Sequence, residues 1–324
     1  NLRRQRQMCI RDSHIVETIK YGFETHILVN NLGSKEATSQ LHLFDKFNLY
    51  EIATPYNNKI PSNRVLRLIK AILILISNIQ FAPDFFRTLK AKKYGAKSKS
   101  LKMWFQAAVF IKYRKIELFH GHFAISGQLL AEMKEIGAIK GKIITTFYGY
   151  DTFTTKENRE DIKLAYKKLF KYSDIIITSS KYLANNLKLI DAPVEKLVVN
   201  SVGVDVDKFK YLERTVEKPL NLVTVGRLIK LKGQRIGIKA VKLLIDRGHN
   251  VIYTIVGSGE EQANLKHLIS ELNIEKYVVL KDSKSQNEVI EILNSSNLFL
   301  MTSITDEFGR AEGQGLVTAE AQSM

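Results

Sequence analysis

Arg227 and Lys232 stand five residues apart in T-V-G-R-L-I-K-L-K-G, residues 224–233, just after an apolar run. A guanidinium fork and an ammonium projecting from one short loop can neutralise a diphosphate. Ordinary solvated loop charges remain the alternative for the same pair. Gly226, at the end of the apolar run, lets the backbone turn where a side chain would be costly. Further on, residues 312–322 read E-G-Q-G-L-V-T-A-E-A-Q, with Gly313 and Gly315 ahead of a helical run that opens near Leu316. Free amides at a helix N-terminus attract anions. Glu312 and Glu320, eight residues apart, can accept hydrogen bonds from hydroxyls at two places on an extended ligand. Between these segments, V-G-S-G-E-E (residues 256–261) supplies Gly257 and Gly259 at another strand-to-helix turn. It lacks a third glycine and an acid for a ribose, so it reads first as a tight βα turn.

The first half of the chain carries two comparable segments. H-G-H-F-A-I-S-G (residues 120–127) and T-T-F-Y-G-Y-D (residues 145–151) each close a β-rich run. His122 and Asp151 can serve a ligand, or can be a satisfied core histidine and a turn cap. Residues 202–207, V-G-V-D-V-D, hold a D-x-D, which is a metal-binding pattern in some transferases. No cluster of His and Cys at metal-ligand spacing accompanies it.

Taken in order and spacing, G-R-L-x-x-x-K-G, I-V-G-x-G-x-E and E-G-x-G-x-x-x-x-E-A resemble the nucleotide-sugar half of retaining glycosyltransferases of family 4, which have the GT-B fold. The likeness spans roughly residues 115–324. It implies that Arg227 and Lys232 bind the donor diphosphate, with Gly226 and Gly257 at the adjoining turns. It further implies that Glu320 binds the ribose, that Glu312 lies at the donor sugar near the reacting carbon, and that the amides of Gly313, Gln314, Gly315 and Leu316 complete the contacts. Glu312, Arg227 and Lys232 then form the catalytic set. The segment around His122 resembles the family's H-F-G-x-x-G, which places His122 and Gly127 on the acceptor side of the cleft. Relatives usually carry histidine where this chain has Tyr148, in a T-F-H-G-Y-D pattern that Asp151 matches. A phenol donates a hydrogen bond but does not share a proton near neutral pH. The D-x-D resembles the family's N-G-V-D-x-x-x-F turn, at Asp205 and Phe209, and is read as structural.

The reaction implied is metal-independent transfer of a sugar from a nucleotide-diphosphate sugar to a glycan or lipid-linked acceptor in surface polysaccharide synthesis. No cofactor or metal is expected. Two other readings stay open: a nucleotide-sugar epimerase of the same fold, and a non-catalytic basic module for membranes or nucleic acid.

These segments need a scaffold that brings strand ends together. The chain alternates short β-rich runs with amphipathic stretches, the pattern of doubly wound parallel sheets. Strands are predicted at residues 25–29, 50–53, 117–120, 142–147, 174–178 and 196–200, then at 220–225, 250–256, 277–281 and 297–301. The polar stretch Lys210–Pro219 separates the two series and reads as a linker. The expected architecture is α/β: two Rossmann-like domains, residues 14–209 and 220–324, facing across a cleft.

Composition sets the outer bounds. The chain has 324 residues, 45% hydrophobic and 25% charged, which suits a globular protein with a sizeable core. One cysteine, Cys9, excludes an internal disulfide framework. The longest apolar run, Ala71–Ile76, is far short of the roughly 20 residues that span a bilayer. Read back through the genetic code, Met8–Ser13 resembles the mosaic-end adapter of transposase-based sequencing libraries, so residues 1–13 are set aside from the functional reading. With an abrupt C-terminus at Met324, a fragment at both ends lacking a first strand is expected. The formal charge is +16. Residues 85–116 hold ten basic side chains and no acid, with Trp104, Phe105, Phe110 and Tyr113 interleaved, next to an apolar helix predicted over residues 64–81. That composition suits an anionic membrane surface, or a solvated face of a lysine-rich protein. No nucleic-acid module signature is present. The expected location is cytoplasmic, peripheral at the inner membrane face.

Overall fold

A computed structural model describes residues 14–33, 41–57, 60–153, 155, 157–213, 215–216, 218–307 and 309–324. The adapter-like segment lies outside the described residues. Residues 14–20 are helical (α1). The order then runs β1 (Ile27–Val29), α2 (Leu41–Lys46), β2 (Ala53–Pro55), α3 (Arg64–Ser77), α4 (Ala82–Thr88), α5 (Ala91–Tyr94), α6 (Ala96–Lys99) and α7 (Lys102–Phe110). Three βα units and a final strand follow in the first half: β3 (Leu118–His122), α8 (Phe123–Ile136), β4 (Lys142–Phe147), α9 (Arg159–Tyr172), β5 (Ile175–Thr178), α10 (Lys181–Lys188) and β6 (Leu197–Val199). The second half comprises β7 (Leu220–Val225), α11 (Gln234–Asp246), β8 (Val251–Val256), α12 (Gln262–Glu271), β9 (Val278–Lys281), α13 (Gln286–Asn294), β10 (Leu298–Phe299) and α14 (Leu316–Gln322).

Two four-stranded sheets result, β3-β4-β5-β6 and β10-β7-β8-β9, with a separate pair β1-β2. All recorded pairings are parallel. Helices therefore cover both faces, which is why strands such as K-I-I-T-T-F and V-I-Y-T-I-V read as nearly continuous β-branched and apolar runs. Local signals fix the helix ends. Asn63 Oδ1 accepts from the amides of Val65 and Leu66 at 2.8 and 3.1 Å, and Ser285 with Glu288 closes a capping box on α13. Gly137, at φ +94°, ends α8 in the left-handed conformation.

Where the sequence predicts one helix over 83–93 and one over 99–113, the chain instead folds into four short segments, α4 to α7. The run is broken at Leu89–Lys90, where the backbone leaves helical geometry, at Gly95 (φ +52°) and at Leu101 (φ +57°), which a 3.6-residue periodicity does not register. Trp104, Phe105 and Phe110, read from sequence as surface aromatics, are buried at 5%, 4% and 1% exposure. They pack with Phe85, Met103 and Ile136 in the core of the first half. The exposed apolar surface lies instead on α3, which buries Ala71 and packs Ile74 and Leu75 against that core. Val65, Leu66, Leu68, Ile69, Ile72, Leu73 and Ile76 remain 49–67% exposed. Phe209, placed by the sequence reading at the end of the first domain, is buried with Val223, Val225 and Val256 of the second.

Candidate functional site

The carboxyl ends of β7 and β8, the turn before α14 and the loop after β4 enclose a cleft of about 1360 Å³. Its walls come from both halves: Tyr148, Gly149, Tyr150 and Phe153 on one side, and Gly226, Arg227, Lys232, Gly257, Glu312 and Glu320 on the other. This is where ligands sit in open α/β sheets.

The donor-side wall is built by two close backbone turns. Gly226 donates to Val256 O at 2.9 Å, and Gly257, at φ +154°, faces it so closely that a Cβ there would lie 1.8 Å from Gly226 O. Gly259 is equally confined, with a Cβ position 2.2 Å from Leu228 O. The steric need for glycine thus falls on Gly257 and Gly259. At Gly226 a Cβ would meet only the Lys232 side chain, at 3.8 Å, which corrects the expectation that a side chain there is costly.

Arg227 is half-buried in this wall, and burial pulls its guanidinium pKa down against the charges of Glu312 and Glu260. Lys232 closes a 3₁₀ turn, Lys230–Lys232, fixed by Thr302 Oγ1 donating to Lys232 O at 2.8 Å. Its ammonium forms an ion pair with Glu312. The sequence assigns these two side chains to different parts of a ligand; the fold joins them across 80 residues of chain. Glu320, on α14, is 5% exposed. Gly315 sits before α14 at φ +70°, as the turn requires.

Not every residue named from sequence faces the cleft. Gln314 turns its amide to the other half of the molecule, donating to Val202 O at 2.6 Å and accepting from Val202 N at 3.0 Å. Gly313 lines the cleft, and the position a Cβ would take there lies 3.2 Å from a Leu183 methyl. Gly127, expected at the cleft, is a packing glycine: a Cβ would sit 2.5 Å from Thr145 Cγ2 and 2.8 Å from Leu169 Cδ1. Asp151 is 7% exposed and accepts from the amides of Ala124 at 3.0 Å and Gly149 at 3.2 Å, so it ties the β4 loop to the start of α8. Burial pushes its carboxyl pKa upward against those bonds. Asp205 Oδ1 accepts from the amides of Asp207 and Lys208, both at 3.1 Å, which makes the D-x-D an Asx-type turn.

Sequence reasoning also missed parts of the cleft. Lys208, Lys284 and Arg310 line it, paired with Gln286, Glu288 and Asp306. They are scattered along the chain in segments without a motif. Behind the first-half wall stands His122, which the sequence reading places at the cleft but which is not among its lining residues: its Nδ1 is 2.7 Å from Tyr148 Oη with the rings nearly parallel, and Phe123 packs its ring against Tyr148 and Tyr150 at 5.0 and 5.4 Å. Phe123 holds φ +69°, a strained value for a bulky residue and one that clusters at functional sites. His120 lies one position further in, and burial followed by the nearby His14 lowers its pKa to about 4. Sequence spacing gave no sign that His14, His120 and His122 converge, yet their ligand atoms lie within 4.8 Å of one another.

Two parallel-sheet halves, with a cationic turn and the carboxylates of Glu312 and Glu320 on the wall of the cleft between them, make up the GT-B architecture. Residues 206–324 match the family model described as glycosyl transferases group 1. It is 29% identical over 315 residues to the putative colanic acid biosynthesis glycosyltransferase WcaL of Escherichia coli K12, covering 96% of this chain and 76% of that one. It is 27% identical over 316 residues to the amylovoran biosynthesis glycosyltransferase AmsK of Erwinia amylovora, with the same two coverages. Among solved structures, Anabaena HepE in complex with UDP-glucose superposes with a TM-score of 0.64 at 15% identity, over 98% of this chain and 74% of that one. A glycosyltransferase from Rickettsia africae ESF-5 gives 0.62 at 16% identity, over 98% and 73%.

Proposed function

We propose that this protein is a retaining glycosyltransferase that moves a sugar from a nucleotide-diphosphate sugar to a glycan or lipid-linked acceptor in surface polysaccharide synthesis. The observation that carries the reading is the Arg227–Lys232–Glu312 group on one wall of an interdomain cleft. The two named relatives act, by their descriptions, in colanic acid and amylovoran biosynthesis, and HepE was solved with UDP-glucose. Both support the same reading.

In this mechanism the diphosphate enters beside Arg227 and Lys232. Its oxygens replace Glu312 as the partner of the Lys232 ammonium, so Glu312 turns to the donor sugar. The two cations hold the negative charge that develops on the departing diphosphate, which is preorganised electrostatic stabilisation rather than strong base catalysis. Glu320 holds the ribose. Tyr148, Tyr150 and Phe153 offer an aromatic wall for the acceptor. The Asp205–Asp207 turn takes no part, so the donor step needs no metal at that position. The exposed apolar face of α3 and the basic segments beside it rest on the anionic cytoplasmic face of the inner membrane.

Calorimetric titration with nucleoside diphosphates tests the assignment. Arg227→Ala and Lys232→Ala each remove a charge-assisted contact of roughly 1.5–3 kcal/mol, and each should weaken binding accordingly. EDTA should leave the affinity unchanged. Unaltered affinity in both variants overturns the diphosphate site. NMR of the anomeric product distinguishes retention from inversion.

A further inference from the structure

Three histidines meet in the first half, next to the cleft-lining Tyr148. His120 and His122 are alternate residues of β3 and so point to the same face of the sheet. Their rings stack with centroids 4.3 Å apart. His14, from α1, stands edge-on to both, at 5.2 and 5.9 Å. We propose that His14, His120 and His122 form a site for a divalent transition metal of the zinc class, with a fourth position open to an oxygen ligand.

Spacing is the first support. The three ligand atoms, one from each ring, all lie within 4.8 Å of one another. A tetrahedral zinc, with Zn–N bonds of about 2.0–2.1 Å, sets its nitrogen ligands roughly 3.4 Å apart. Closing that difference takes ring movements of roughly an ångström, and α1 contributes its ligand from an exposed first turn that can supply part of it.

The second support is independent of spacing. Histidines that bind metal almost always donate their other ring N–H to an oxygen, which fixes the tautomer and the ring plane. Here His120 Nε2 lies 2.7 Å from Thr146 Oγ1, and His122 Nδ1 lies 2.7 Å from Tyr148 Oη. The β3–β4 register produces both contacts: His120 pairs with Ile144 and His122 with Thr146, so each imidazole reaches the residue two positions beyond its own partner, Thr146 in β4 and Tyr148 just after it. With each ring donating to its oxygen, the opposite nitrogen carries the lone pair. The sheet thus gives two of the three rings an oxygen partner for their second nitrogen, as metal-binding histidines have.

Three protein ligands and an open position describe a reactive or ligand-binding metal site rather than a closed structural one. Tyr148 joins this cluster to the cleft wall, so the open position serves an oxygen-bearing ligand on the acceptor side. Imidazole donors select zinc and its neighbours over magnesium or calcium. The site is separate from the donor residues of the second half and stands or falls without them.

The test is a metal titration of the full chain carrying Cys9→Ser, which removes the one thiol that would bind the same ions. Co²⁺ should give the intense visible absorption of a tetrahedral complex, and Zn²⁺ calorimetry should give one ion per chain. His14→Ala, His120→Ala and His122→Ala should each weaken binding at least about tenfold, and Thr146→Val and Tyr148→Phe about 10–100-fold, as loss of an outer-shell partner does. His249→Ala, on the exposed surface of the second half, should change nothing. Because His14 is exposed, its variant folds even if His120→Ala does not. Zn²⁺ affinity unmoved by both His14→Ala and His122→Ala, or Co²⁺ spectra of octahedral type, overturns the site. Arg227→Ala should leave Zn²⁺ affinity intact, which separates failure here from failure of the donor site.

Discussion

Lys232 and Glu312 are 17% and 28% exposed at their side chains, and each is the other's partner. Removing one member of a shielded ion pair leaves the other charge uncompensated, which costs more than the pair is worth. A phosphate that takes over Lys232 avoids that penalty and frees Glu312 at the same moment. Steady-state kinetics should divide the two glutamates: Glu320→Gln should raise the donor KM, whereas Glu312→Gln should mainly lower kcat. Equal effects on both parameters in both variants would remove this division of labour. At this scale the sequence shows motifs that are local in the chain: Arg227 with Lys232, and Glu312 with Glu320. It does not show partnerships made by folding. The Lys232–Glu312 pair, the cleft positions of Lys208, Lys284 and Arg310, and the meeting of His14 with β3 all depend on tertiary contacts with no constant spacing.

Elements in the second half follow the sequence pattern closely, and β7 begins and ends at the residues its periodicity predicts, 220 and 225. Each is a regular βα unit with a cap and a polar turn. The stretch from α4 to α7 departs from its pattern because its breaks come from backbone conformation at Lys90, Gly95 and Leu101, not from hydropathy. Gly127 shows the same limit, since its role is contact between α8, β4 and α9. Gly127→Ala should destabilise the protein by about 1–3 kcal/mol through overpacking, measured by denaturant unfolding. Unchanged stability would mean that Thr145 and Leu169 yield freely.

Glu135 of α8 provides a second element-level test. Burial opposes its ionisation, but Lys168, Tyr94 and Lys93 outweigh it and bring the carboxyl from 4.5 down to about 2. A depressed carboxylate pKa stabilises the fold fully above pH 4.5, and that contribution fades as pH falls toward 2. Glu135→Gln should therefore lower Tm at pH 7 and flatten the loss of stability across that acid window. A variant with the same acid profile as the parent would show that the network holds little of the protein's acid sensitivity.

Across the whole molecule, the most uneven feature is the first-half surface. Among described residues no single helix is long and apolar enough to cross a membrane. Seven large aliphatic side chains of α3 nonetheless face outward. Between residues 64 and 116 the one acid is Asp84, buried at 5% and paired with Arg87 and Arg114. Lys93 and Lys97 pair with Glu135 and Glu132, so the cations most available to a lipid surface include Lys90 and Lys92. Each is worth about 1 kcal/mol near anionic lipid. Co-sedimentation should show binding to phosphatidylglycerol vesicles, little to phosphatidylcholine, and a decline at about 0.5 M salt, where screening is short-ranged. Lys90→Glu with Lys92→Glu, or Leu66→Asn with Leu73→Asn, should release the protein while nucleotide binding persists. Retention by both double variants would make the face merely solvated.

The contact between Gln314 and Val202 has a consequence for how such a protein can be recombined. On the first-half side it engages only main-chain N–H and C=O, which every residue but proline presents. Whatever side chain stands at position 202, the clamp closes as long as the second half brings its glutamine. This part of the seam therefore survives exchange of the first half at residues 210–219, provided the incoming half keeps Phe209, which packs with Val223, Val225 and Val256 of the second half, and Lys208, which donates to Gln286.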